Sequence, residues 1–142
     1  MSQVYSISAV IDLKFTERNI FAVLLKGITL GLRYYEPNFR TDDPFNLQEL
    51  SLDQAVVSAS TILANDINVL EARLENTFFS MYCIKNAQRI EITFSGFNYF
   101  PWMRKFKYDD EYDEDLDIPR YLKLMLDLIE DYKILELHVQ KD

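Results

Sequence analysis

Few side chains in this sequence are equipped for chemistry beyond simple charge. It has one histidine, His138, and one cysteine, Cys83. A lone histidine excludes an H-E-x-x-H centre and paired-histidine metal sites, and a lone cysteine excludes an intrachain disulfide and multi-cysteine zinc. His138 falls near Glu136 on the polar side of an alternating segment. An acid–base role there would need a third group to orient the ring, and a plain surface position accounts for it equally. Cys83 sits in an apolar, β-like run and reads as a small buried hydrophobe rather than a nucleophile. No G-x-S-x-G, Walker A or G-x-G-x-x-G spacing occurs, so no reaction is specified. The expectation is no catalytic residue set, no metal and no cofactor.

The carboxylates are the unusual feature. Asp109, Asp110, Glu111, Asp113, Glu114, Asp115 and Asp117 place seven acids within nine residues. The chain has 23 acids and 15 bases, so 16 acids remain outside this run and the net charge of -8 is nearly all local. A charged patch steers a partner, whereas diffuse charge mainly aids solubility. Asp109, Glu111 and Asp113 alternate as calcium ligands do, but the glycine and the closing glutamate of an EF-hand loop are missing. Nor do seven mutually repelling neighbours resemble the two opposed carboxylates of a glycosidase. A carboxylate pair built from distant residues such as Asp12, Glu91 and Glu136 stays open.

Just upstream, Phe97, Tyr99, Phe100, Trp102, Phe106, Tyr108 and Tyr112 crowd around Arg104, Lys105 and Lys107. Tyrosine and tryptophan bury much area at little entropy cost and dominate binding hot spots. The expected partner-binding residues are therefore Tyr99, Trp102, Tyr108 and Tyr112 as anchors. Asp109, Asp110, Glu111, Asp113, Glu114 and Asp115 would steer a partner with a basic surface. Two plainer readings stand beside this one. The aromatics can cap the core, and a helix dipole favours acids in its first turn, which covers Asp115 and Asp117 but not Asp109 to Asp113. Basic residues among aromatics also fit single-stranded nucleic acid, but the adjacent acids repel phosphate, so nucleic acid is not the expected partner. The basic cluster could instead meet the acidic run of a second copy, making a homo-oligomer.

These residues must be held by a framework, and the hydrophobic pattern outlines it. Residues 4–14 alternate as a strand, with Ile7, Ala9, Ile11 and Leu13 on one face. Thr16 is placed to cap a helix reaching about Arg33, with Phe21, Leu24, Leu25, Ile28 and Leu32 on its apolar side. Gly27 and Gly31 lie four apart within it, spaced for close approach to a sheet. Residues 34–50 form a long connection whose aromatics suit packing on the body. Ser51 or Asp53 would cap a second helix, in which Leu52, Val56, Ala59, Leu63, Ile67, Leu70 and Leu74 follow a 3.6-residue period, with a break at Asn65-Asp66. Residues 77–84 and 89–95 read as a hairpin about a Lys85–Gln88 turn. A second long connection covers 96–116. Asp117 is then placed to cap a helix with Pro119 in its first turn and Leu122, Met125, Leu128, Ile129 and Tyr132 as its buried stripe. Residues 133–140 alternate as a last strand, with Leu135, Leu137 and Val139 inward.

At 142 residues, 49% hydrophobic and 14% aromatic, the chain is expected to form one domain with a real core. The element order predicts an α+β class: a mostly antiparallel sheet with helices on one face, in a ferredoxin-like split βαβ plait with an extra helix before the central hairpin. Residues 1–142 read as this single domain, with long candidate functional connections at 34–50 and 96–116. The most apolar stretch, 20–32, carries Lys26 and is too short for a span, which needs about 20 residues, so no membrane is expected. The first residues lack a signal pattern and the thiol is free, so a cytoplasmic location is expected. In composition the chain resembles bacterial toxin-neutralising immunity proteins and protein inhibitors, a resemblance that implies a non-enzymatic module binding a basic partner through its aromatic and acidic segment. Two alternatives remain: a small-ligand domain or enzyme with an aromatic pocket, and a structural homo-oligomer subunit.

Overall fold

A computed structural model describes residues 5–36, 48–61, 67–74, 77–95 and 114–141. Their elements run β1 (Tyr5–Lys14), α1 (Glu17–Thr29), β2 (Arg33–Tyr35), α2 (Leu52–Ser60), β3 (Ile67–Leu74), β4 (Thr77–Asn86), β5 (Arg89–Ser95), α3 (Glu114–Leu128) and β6 (Ile134–Lys141). The class is α+β, as the pattern predicts. All six strands join one sheet in the order β2-β3-β4-β5-β1-β6, and every neighbouring pair is antiparallel.

The strand order has a simple logic. β1 and β4 both pair antiparallel with β5, so they are parallel to each other with β5 between them. β5 and β6 are related through β1 in the same way. The strand order β4-β5-β1-β6 within this sheet is compatible with the expected plait. The segment between α1 and β4 adds more than a helix: it also supplies β2 and β3, which widen the sheet beyond β4.

The core lies between sheet and helices. Ile7, Ala9, Ile11, Ile90, Ile92 and Phe94 point into it from β1 and β5, each at most 1% exposed. Burying such side chains contributes about 1.5–3 kcal/mol each. The β4–β5 hairpin turns on Ala87 and Gln88, both at positive φ (47° and 66°), the geometry of a tight I′ turn matched to strand twist. Phe15 N–H donates to the Gln88 carbonyl at 2.9 Å, which ties this turn to the end of β1.

Several elements differ from their sequence pattern. The first helix ends at Thr29, and Gly31 lies beyond it at φ 97°. Gly31 and Leu32 N–H donate to the Ile28 and Gly27 carbonyls at 3.0 and 2.9 Å, a Schellman cap that needs the left-handed residue. The buried face of α1 is Ile20, Val23, Leu24 and Gly27, whereas Phe21, Leu25 and Ile28 are 38–42% exposed. Gly27 does approach the sheet closely: a β-carbon there would overlap the Tyr34 hydroxyl of β2.

The 52–74 helix is the main correction. Among its described residues only Leu52–Ser60 is helical, opened by a Ser51–Gln54 capping box, and Ile67–Leu74 is strand β3. Leu70 and Ala72 are fully buried while Glu71 and Arg73, which alternate with them, are half-buried. That is a period of two, and the leucines at 70 and 74 satisfy it as well as a helical one. At the other end, α3 begins at Glu114, three residues before the expected cap. Pro119 is therefore its sixth residue, where the missing N–H removes one helical bond to the Asp115 carbonyl.

Candidate binding surfaces

The expected partner-binding residues Tyr99, Trp102, Tyr108, Asp109, Asp110, Glu111, Tyr112 and Asp113 lie outside the described residues. Glu114 and Asp115 are the first two residues of α3. The segment 96–113 is bracketed by β5 and α3. On one side, β5 ends at Ser95, opposite Ser6 of β1 and Ser80 of β4. On the other, α3 leads into β6, which starts beside Ile11 and ends beside Tyr5. A helix of 15 residues spans about 22 Å, so its first turn lies back toward the Ser6–Ser95 end of the sheet. Three rings brace both stems. Phe79 meets Phe94 at 5.1 Å and Tyr121 at 5.2 Å between centroids, both edge to face. Each such pair contributes about 0.5–1.5 kcal/mol beyond burial.

The other long connection, 34–50, is tied at its base. Tyr35 bridges to Glu49, Glu36 N–H donates to Gln48 at 2.9 Å and Leu50 N–H to Tyr34 at 2.9 Å. Of its aromatics, Tyr34 is buried in the core, donating to the Leu24 carbonyl at 2.9 Å. Phe39 and Phe45 lie outside the described residues. Beside this base is a cleft of about 700 Å³ whose described lining is Glu36, Gln48, Leu50, Asp53, Gln54, Val57 and Ser58. Leu50 and Val57 join polar residues whose carbon atoms also face the cleft, so its surface is more apolar than polar, and no aromatic is among its described residues.

The face of the sheet away from the core carries polar pairs. Ser8 and Thr93 hydroxyls are 2.9 Å apart, and Asn86 Nδ2 donates to Glu91 at 2.9 Å. Ser80 donates to the Glu71 carboxylate at 3.3–3.4 Å. Burial pushes the Glu71 carboxyl above its ordinary value, and the Ser80 hydrogen bond offsets part of that rise. The distant carboxylates do not converge as an acid pair. Asp12 accepts from Arg89 at 2.9 Å. Glu91 and Glu136 flank Val10 from opposite neighbouring strands, about 10 Å apart by strand spacing. Cys83 is buried, and burial pushes its thiol up to about 12, the behaviour of a packed hydrophobe rather than a nucleophile.

The last strand differs from expectation in a way that matters. Leu137 and Val139 sit opposite Ala9 and Ile7, on the core-facing side of the sheet. Yet Leu135, Leu137 and Val139 are 45%, 41% and 47% exposed, because among the described residues β6 ends the sheet and has a strand beside it on one side only. Glu136 and His138 occupy the other face, with side chains 58% and 67% exposed and 4.0 Å apart. Alternation in the sequence predicts two faces; it carries no information on which strand ends the sheet.

Among the described residues no group of three or more His, Cys, Asp or Glu is placed to hold a metal ion, and no helix is long and apolar enough to cross a membrane. No protein-family model, no curated protein and no solved structure matches the chain.

Proposed function

We propose that this chain is a non-enzymatic protein-binding module that engages a basic partner through its aromatic and acidic segment, as an immunity- or inhibitor-type protein does. The observation that carries this reading is the concentration of seven acids in nine residues directly after six aromatics, with a seventh, Tyr112, inside the run. Charge at that density produces a local field reaching about one Debye length, roughly 8 Å at physiological salt, which steers encounter. Tyr99, Trp102, Tyr108 and Tyr112 then supply desolvated anchors. The braced stems at Phe94 and Tyr121 support the reading, since a fixed base lowers the entropy lost on binding. A cytoplasmic setting fits the single free thiol.

The test compares wild type with a variant carrying Asp109→Asn, Asp110→Asn, Glu111→Gln, Asp113→Asn and Glu114→Gln. Both are used as bait in cell lysate, and salt eluates are identified by mass spectrometry. The purified partner is then studied by stopped-flow. The expected result is a basic protein that the wild type holds, with an association rate that falls about tenfold or more in the variant at low salt and loses its salt dependence. An association rate equal in both proteins across the salt series would overturn the proposal.

A further inference from the structure

We infer that β6 is a self-association edge, pairing antiparallel with β6 of a second copy across a two-fold axis at Leu137. The inference goes beyond the proposed function and uses a different surface. It starts from backbone hydrogen bonding. Asp12 N–H donates to the Lys133 carbonyl at 2.8 Å, so the even-numbered residues of β1 direct their backbone groups toward β6. Ser8 and Val10 face His138 and Glu136, and the alternate residues Leu137 and Val139 turn their N–H and C=O groups to the free edge. A bulge at Leu135, where Val10 pairs with Glu136 but Ile11 with Ile134, ends the regular stretch on one side. What remains is Leu135–Val139, an edge with no further strand beside it among the described residues and with three apolar side chains 41–47% exposed. Such an edge is a template for another strand.

Charge selects both the occupant and the register. On the face opposite the leucines, this stretch carries one acid, Glu136, and one histidine, His138. A two-fold axis perpendicular to the sheet at Leu137 places Glu136 opposite His138 of the second copy, twice. It also sets Leu137 on Leu137 and Leu135 on Val139 of the second copy, so both faces match. Moving the axis one residue one way sets Glu136 on Glu136, and like charges directly opposite are unfavourable; moving it the other way sets His138 on His138, and either shift gives up both Glu136–His138 pairings across the axis. The like-charged Lys133 and Lys141 meet only beyond this stretch. The strand is therefore complementary to itself in one register, the condition for an isologous contact.

The proposal is tested by sedimentation equilibrium on the full chain over a concentration series. Wild type is expected to form a dimer. Leu137→Lys, at an exposed position, should sediment as a monomer. Glu136→Lys alone should weaken the dimer about tenfold, and adding His138→Glu should restore it, since the swapped charges are again opposed. Register is read by crosslinking. Leu137→Cys should oxidise to a disulfide dimer, as paired residues about 5.5 Å apart allow. Val139→Cys should not, because the two thiols would lie about four residues out of step. A wild type that stays monomeric, or a Val139→Cys variant that crosslinks as efficiently as Leu137→Cys, would overturn the inference. Neither result bears on binding through the acidic segment, because none of these substitutions touches it.

Discussion

Gly27 and Tyr34 constrain each other. The Tyr34 hydroxyl reaches the Leu24 carbonyl through the space a β-carbon at position 27 would fill. Gly27→Ala gains about 1 kcal/mol of helix propensity but overpacks a filled core, at a cost of about 1–3 kcal/mol. The expected net result is destabilisation in urea unfolding. Tyr34→Phe removes the obstructing hydroxyl, so the double variant should lose less than the sum of the two single variants. Glu71 has the opposite sign. Burial raises its carboxyl above the ordinary value of 4.5, so the folded state holds the proton more tightly than the unfolded state. That contribution favours folding in acid and is lost as pH rises through the folded value. Glu71→Gln should therefore be more stable than wild type at neutral pH, and the gap should close below the unfolded value, as thermal melts across pH would record. Cys83, buried with its thiol pushed up to about 12, should resist alkylation in the folded protein and react only on unfolding.

At the scale of the element, local chemistry was readable wherever it acts within a few residues. Thr16 and Ser51 cap their helices as their types and positions predict, and the Ile90–Phe94 alternation marks β5. Ser51→Ala should cost about 1 kcal/mol in chemical denaturation, since it removes one half of a capping box. The tight turn at Ala87-Gln88 offers the converse. Both residues adopt positive φ without being glycine, so Gln88→Gly should raise stability by about 0.5–1 kcal/mol. Legibility failed where two periods fit the same letters. Leu70 and Leu74 lie four apart, as a helix face requires, and also on one side of a strand. Only pairing with β4 along Ile67–Leu74 settles which, and pairing is not written within eight residues. The three-residue β2 is too short to show a period at all.

For the whole molecule, the class followed from the order of elements, because helices between antiparallel strands have few ways to cover a sheet. The edge did not follow, because strand order is decided by contacts between distant segments. Hence the acidic and aromatic segment stood out from composition alone, while the open stretch Leu135–Val139 became visible only once β6 was placed outside β1. The triad of Phe79, Phe94 and Tyr121 draws on three elements and was equally hidden. Phe79→Ala should cost about 3–5 kcal/mol by loosening two strands and α3 together.

The position of β1 between β5 and β6 also sets a timetable. Both sheet neighbours of β1 follow it in the chain: Ile7 pairs with Phe94 on one side and Val139 on the other. The backbone hydrogen bonds of β1 therefore close only when segments about 80 and 130 residues further along the chain are in place. Both partners of β1 are thus recruited across most of the chain, a pattern of distant contacts that slows folding relative to local pairing.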